Sequence, residues 1–493
     1  MFGSWVRRRM LPATGAVAAL ALGLAQPACG SSSAGGPAPA AEAGSPDVVI
    51  GFSDALSGGL KGFGAPLADV ARVAEQQVNQ VGILGGRHIH VEIVDDSSAP
   101  AGAVAAAGHF IDEGVHAVIG PLASPQCQAV FQTYGARGIV EISPAATSAG
   151  FRAQGVDSSF FFRTAPSDDR QGVAVAQLVY DGVSPATLAD AGAPEAGTPP
   201  AIGGGCRYAY IVHGNDDYGT NLGESVARTF EQKGAANGND AHVIGTTGVD
   251  TSLVPTYVPV VDVVKSLRAV TSRHVGANRV CLVLIVYPDV GAQFLRDLRA
   301  ETQTPAGMPL PFPVFGTDGE FDSAFIPDGE TTVNDPTSNN VTEGVLGTTP
   351  QADPNSTEYQ DFVTLYRNSF PGGSVPAYGA NLFDAIMVLA LAMDAAGTTT
   401  DGAAIRDALY QVTDPRNATA VGPDGFVDAE ASLHKGIQVK YVGASGPLTF
   451  GDDGTNKSPG DVAEDYAVWR VDRQPDHTFA FDTIARMKWD TLK

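Results

Sequence analysis

From Asp47 onward the chain alternates two hydrophobic periods, and few folds can use both. Short segments, "DVVIGFSD", "HIHVEIVDD", "VHAVIGP" and "GIVEIS", are β-branched and nearly continuous in apolar character. Strands of this kind belong to a parallel sheet whose two faces are both covered by helices. The segments between them carry the helical period. Residues 64–82 set Leu67, Val70, Ala71, Ala74, Val78 and Val81 on one face, which predicts a helix. Residues 101–113 and the stretch from Ser124 predict two more, and "FFFRTA" ends the series as a strand.

After "TAPSDDRQG" the alternation starts again. A helix is expected over 168–182, then a surface loop at the Ala/Pro/Gly-rich "SPATLADAGAPEAGTPPAIGGG". The strands "CRYAYIVHG", "HVIGTTGV", "VCLVLIVYP", "FPVFGTDG" and "EGVLGTTP" follow, separated by helices from Tyr218, near 256–270 and from Asp289. Residues 321–342 read as a polar loop. Helical patterns return at 356–369, 380–396 and 402–411, and "GPLTF" and "YAVWRVD" are expected as the late strands that end the chain. With 493 residues there is enough chain for two domains of ordinary size. Two such series predict an α/β fold of two doubly wound parallel-sheet lobes facing each other.

Charge and cysteine usage exclude several functions. Thirty basic residues against 54 acidic ones give a net charge of -24, and a nucleic-acid binder needs a basic footprint. The amino terminus reads as an export signal over residues 1–28: "WVRRRM" is a basic start and "LPATGAVAALALGLA" an apolar stretch interrupted by Pro12 and Thr14, too short for a good membrane span. Ala28-Cys29 followed by "GSSSAGGPAPAAEAGSP" resembles a bacterial lipobox with its flexible tether, residues 29–46, although Gln26-Pro27 departs from the usual pattern. Lipidation at Cys29 would anchor the domain to a membrane; the alternative is ordinary cleavage near Ala28. The "RRRML" run leaves twin-arginine export open. Of the remaining cysteines, Cys206 and Cys281 each open a strand and Cys127 stands apart. A disulfide between the first two requires neighbouring strands, and the other reading is two buried thiols. No Cys/His spacing suits a metal, and no cofactor is expected. There is no G-x-S-x-G, HExxH or phosphate-binding loop, so an enzyme is not expected. "DDGTN" and "PDGFVD" lack the spacing of a calcium loop.

Eight motifs in one order, "GFSDALSGGLKGFG", "NQVGILGGRHIHVEIVDDSSAP", "VHAVIGPLAS", "ISPAAT", "FFRTAPSDDRQG", "DDYGTN", "VFGTDG" and "GPLTFGDDG", span nearly all of the chain after Asp47. In this order they resemble the class I periplasmic binding proteins, specifically the leucine/isoleucine/valine receptors of bacterial ABC importers. The resemblance implies two lobes joined by a three-strand hinge, with crossings near 165, 350 and 460. Lobe 1 would hold 47–165 plus 351–460, and lobe 2 would hold 166–350 plus 461–493. It implies a monomer in the cell envelope that passes a small amino acid to an ABC permease. A sensor of the same fold, or a binder of another small acid or amide, is the alternative.

Ligands in open α/β sheets bind beyond the carboxyl ends of the strands, where the candidates fall. Ser124 starts a helix, and Ala145, Ala146 and Thr147 follow the next strand with small side chains. By resemblance, Ser124, Ala145 and Thr147 grip the carboxylate and ammonium of a zwitterion. Read alone, Ser124 could be a helix cap and Thr147 a turn residue. Asp318 matches the acid that pairs with the ammonium, with Glu320 as the fallback, although Asp-Gly is also a common turn. Phe63, Tyr218, Tyr287 and Tyr378 match aromatics that close over the ligand, whereas core packing is the structural alternative. Ser98 and Ala123 stand where the family often has a cysteine pair, and insertions fall near 185–204, 250–278 and 321–342.

Overall fold

The computed structural model describes residues 47–152, 159–182, 205–238, 240–251, 260–272, 280–305, 309–326, 340–451 and 461–492. The signal segment, Cys29, the tether, the "DDGTN" stretch and much of the three insertions therefore lie outside the described residues.

Five strands build the first sheet: β1 (Val48–Asp54), β2 (Ile89–Asp95), β3 (Ala117–Ile119), β4 (Val140–Ser143) and β5 (Phe161–Arg163). Their order is β2-β1-β3-β4-β5, and every pair is parallel. One face packs on α1 (Lys61–Val78), α8 (Thr357–Ser369), α9 (Gly379–Ala396), α10 (Gly402–Val412) and α11 (Phe426–Leu433). The other face packs on α2 (Pro100–Asp112) and α3 (Ser124–Gly135). Covering on both sides is why β1, β3, β4 and β5 carry no polar alternation, whereas the edge strand β2 exposes His90. Leu67, Val70 and Val78 of α1 are wholly buried, each contributing about 1.5–3 kcal/mol.

The second sheet contains β6 (Tyr208–Gly214), β7 (His242–Val249), β8 (Val280–Ile285), β9 (Val314–Gly316) and β10 (Leu346–Pro350). These five repeat the first sheet's order, β7-β6-β8-β9-β10. Between the sheet and solvent lie α4 (Asp168–Asp181) and α5 (Asp217–Ala236) on one face, α6 (Val260–Thr271) and α7 (Pro288–Thr302) on the other. Here the structure corrects an expectation. The sheet is mixed, because β13 (Tyr466–Arg473) pairs antiparallel with β10, and β14 (Phe479–Met487) pairs antiparallel with β13. A further small pair, β11 (Thr419–Val421) with β12 (Val439–Tyr441), is parallel.

Three other readings change. "GPLTF" is no strand: Leu448 and Phe450 are buried by side-chain packing without a ladder partner. β14, not β13, is the last strand. α1 starts at Lys61, three residues earlier than expected, and carries Pro66 inside it. It ends at Val78 because the Asn79 side chain pairs with both backbone groups of Ile89, at 2.8 Å each.

The chain passes between the sheets at three adjacent segments. Pro166 bridges Val462 in parallel, and the Gln351 amide donates to the Asp465 carbonyl at 3.0 Å. Arg163, wholly buried, holds Asp461 with two bonds of 2.7 and 2.9 Å. Cys206, just before β6, is joined to Cys281 of the neighbouring β8 with Cα atoms 6.0 Å apart. Cys127 is a buried free thiol.

Candidate functional site

Each sheet reverses its winding beside its first strand, between β1 and β3 and between β6 and β8. At such a switch point the connecting loops leave in opposite directions and open a crevice. The two crevices meet in one cleft.

On the first lobe, β3 ends at Gly120, whose φ of +77° suits glycine and whose added Cβ would sit 2.3 Å from the Ser53 carbonyl oxygen. This sharp turn delivers Leu122, Ala123 and Ser124 to the cleft. Ala123, not Ser124, is the N-cap of α3, and it offers no side-chain cap. Pro125 has no N–H and the Cys127 amide donates to the Ala123 carbonyl, so the Ser124 and Gln126 amides are the first-turn donors that can face an anion. The Ser124 hydroxyl accepts from the Ser148 amide at 3.1 Å, fixing the two loops together. After β4, Ser143 accepts from the Ala146 amide at 3.0 Å, and the turn presents Ala145 and Thr147. Ala146 itself does not line the cleft. It is wholly buried against Cys127, Phe131 and Phe151.

The second lobe contributes Tyr218 at the start of α5, Tyr287 as N-cap of α7, and Asp318 beyond β9. The two tyrosine rings stack with centroids 5.8 Å apart. Asp318 accepts from Gln171 at 2.6 Å and Tyr218 at 2.8 Å, and from the hydroxyl of Tyr378. Burial raises its pKa, and these three donors pull it back. Tyr378 comes from the first lobe, where it holds a left-handed backbone, φ +58°, at the start of α9. Such a conformation costs a non-glycine residue about 1–2 kcal/mol, a pattern common at functional sites. No lysine, arginine or histidine lines this cleft among the described residues.

Phe63 also lines the cleft, so of the nine expected ligand-binding residues eight are brought together and Ala146 is not. Glu320 is not in the wall. Its carboxylate accepts from the Thr317 and Val286 amides at 2.7 and 2.8 Å and holds the 317–320 turn in shape. Sequence reasoning missed the apolar wall formed by Leu60, Leu67 and Leu122, of which only Leu67 was singled out, as part of a helix face. It also missed Gln171, and Asp168, a wholly buried acid whose pKa is driven well up by burial and then by Asp318. Both lie in "TAPSDDRQG", the one signal that could have found them. No group of three or more His, Cys, Asp or Glu is placed to hold a metal among the described residues.

A family model described as periplasmic binding protein matches residues 47–300, and one described as receptor family ligand binding region matches 204–473. This chain belongs to the periplasmic binding protein family. Within it, a Leu/Ile/Val-binding protein homolog from Brucella melitensis is 29% identical over 188 residues, 38% of this chain and 44% of that protein. The chain thus spans under half the length of the curated relatives it matches. A leucine binding protein from Thermotoga maritima superposes with a TM-score of 0.62 at 20% identity, over 90% of this chain and 99% of that one. A solute binding protein of an ABC transporter from Rhodopseudomonas palustris, solved with 3,4-dihydroxy benzoic acid, gives 0.59 at 13% identity, over 90% and 99%. At these identities the structures share the class I periplasmic binding protein fold with this chain.

Proposed function

We propose that this chain is an extracytoplasmic solute-binding lipoprotein. It captures a small amino acid of the branched-chain class between two closing lobes and passes it to the permease of an ABC importer. The observation that carries the reading is Asp318, a buried carboxylate facing a cleft that supplies it no cation among the described residues. A buried charge needs a counter-charge, and a ligand ammonium provides one. Across the cleft the amino end of α3, with Ser124 and Thr147, suits the carboxylate of the same molecule. Leu60, Leu67, Leu122 and Phe63 give its side chain an apolar wall. An aromatic acid would satisfy the anion end and leave Asp318 unmatched, so a zwitterion is favoured over ligands of the dihydroxybenzoate kind. Lipidation at Cys29 would hold the receptor at the membrane.

The test is a thermal shift of the protein, refolded to strip carried ligand, against amino acids and small organic acids. A ligand at about a hundredfold over its Kd adds roughly 2.7 kcal/mol. A shift with leucine, isoleucine or valine is expected. No shift with any amino acid, beside a shift with an aromatic acid or amide, would overturn the ligand class.

A further inference from the structure

A second pocket, of about 490 Å³, lies where the chain passes between the sheets, and it shares no lining residue with the solute cleft. Its walls come from Asp353 after β10, from Glu464 and Asp465 before β13, and from Lys488, Trp489 and Asp490 after β14. Glu464 is the unusual group. It is 2% exposed. One of its oxygens accepts from the Asn381 side chain at 2.9 Å, and Oε1 meets no donor among the described residues. A buried acceptor left unmet is costly. Lys488 does not serve it, because it is held between Asp353 and Asp465 at 3.0 and 2.8 Å. No other basic residue lines the pocket among the described residues. Asp465 also accepts from the Trp489 amide at 3.1 Å, which fixes that residue in the wall.

A buried carboxylate beside an indole is chemistry that holds an ammonium. No group of three His, Cys, Asp or Glu is placed for a metal among the described residues, so the cation that fits is organic. An oxygen lacking a donor favours a primary ammonium, which carries N–H groups, over a quaternary one. The pocket is also joined to the cleft. The Asn381 side chain that bonds Glu464 donates to the Thr164 carbonyl at 2.7 Å as well. Asn381 lies in the first turn of α9, and Tyr378, at the start of that turn, donates to Asp318 in the cleft.

We propose that this pocket is an effector site for a small primary ammonium, seated on Glu464 against Trp489, and that its occupancy tightens the solute cleft. An ammonium on Oε1 keeps Glu464 ionised. An ionised acceptor holds Asn381 more firmly, and with it the turn that presents Tyr378. The site stands on its own geometry; the coupling rests on the receptor reading above.

The test uses the full chain with its tryptophans isotope-labelled, the indole resonances being followed by NMR during titration with ethylammonium chloride. Sodium chloride at equal ionic strength is the control. The Trp489 resonance, assigned by its loss in Trp489→Phe, is expected to shift saturably with ethylammonium alone. Glu464→Gln, which keeps an acceptor for Asn381, is expected to weaken this binding about tenfold. Asp490→Lys, at the exposed rim and remote from any folding role in the core, is expected to weaken it as well. By titration calorimetry, saturating ethylammonium is expected to lower the leucine Kd about fivefold, a gain that vanishes in Glu464→Gln. No saturable shift, or one that both variants leave unchanged, overturns the site. A saturable shift with no gain in leucine affinity overturns the effector role. If leucine does not bind the unaltered protein, the receptor reading fails, while the tryptophan titration still decides the site.

Discussion

The charge at Asp318 and its shape can be separated by one substitution. Asp318→Asn keeps the volume and one acceptor oxygen, enough for Gln171 and Tyr218, but replaces the oxygen that accepts from Tyr378 with an amide donor and removes the negative charge. Amino-acid affinity should fall about a hundredfold, roughly 2.7 kcal/mol, while the ligand-free melting temperature holds or rises. Titration calorimetry on both proteins decides this, and unchanged affinity would place the ammonium partner elsewhere. Because burial raises this carboxyl and an ammonium needs it ionised, affinity should also weaken on acidification. At this scale the polar candidates were legible, because a hydroxyl or acid beyond a strand end is out of place in a core. Leu60, Leu67 and Leu122 were not, since an apolar residue on a helix or loop looks the same whether it meets a core or a ligand. Gln171 was hidden because nothing local marks which face of α4 turns to the cleft.

Elements carry the next level of argument. β6 and β8 are hydrogen-bonded neighbours, and the Cys206–Cys281 bond closes a loop across a sequence separation of 75. Cross-linking so long a loop restricts the unfolded chain, an effect of about 2–4 kcal/mol. The double variant Cys206→Ser/Cys281→Ser, which leaves no new lone thiol, should melt at a clearly lower temperature. An equal melting point with and without reductant in the unaltered protein would show that the pair contributes nothing. The alternation of strand and helix was readable from the sequence because two-sided burial leaves no polar period to confuse it. The antiparallel edge was not readable. β14, "FAFDTIARM", has a half-exposed pattern that says nothing of its direction or partner. "GPLTF" failed in the opposite way, being apolar and buried without a ladder partner, its Phe450 amide donating to the Thr413 hydroxyl.

Across the whole molecule, buried acids set the response to pH. Asp54 and Glu320 are pushed up to about 8, and Asp96 and Asp384 to about 6, in each case by burial first. Their ordinary values are 3.8 for aspartate and 4.5 for glutamate. Between the ordinary and raised values the folded protein holds protons that the unfolded chain has lost. Stability therefore falls as pH rises through that interval. The stabilisation from these four acids is complete below about pH 4 and gone by about pH 8. The acids held low, Asp95, Asp353 and Asp414 among them, act in the opposite sense but below pH 4, outside this window. Ligand-free protein should thus melt at a higher temperature at pH 5 than at pH 8, while ligand affinity moves the other way because Asp318 must ionise. A binding protein built like this would be most stable when empty in acid and most retentive near neutrality. Melting curves at the two pH values, with and without leucine, separate the two trends. A ligand-free melting temperature that rises from pH 5 to pH 8 would mean that these carboxyls are ionised in the fold and better solvated than their burial implies.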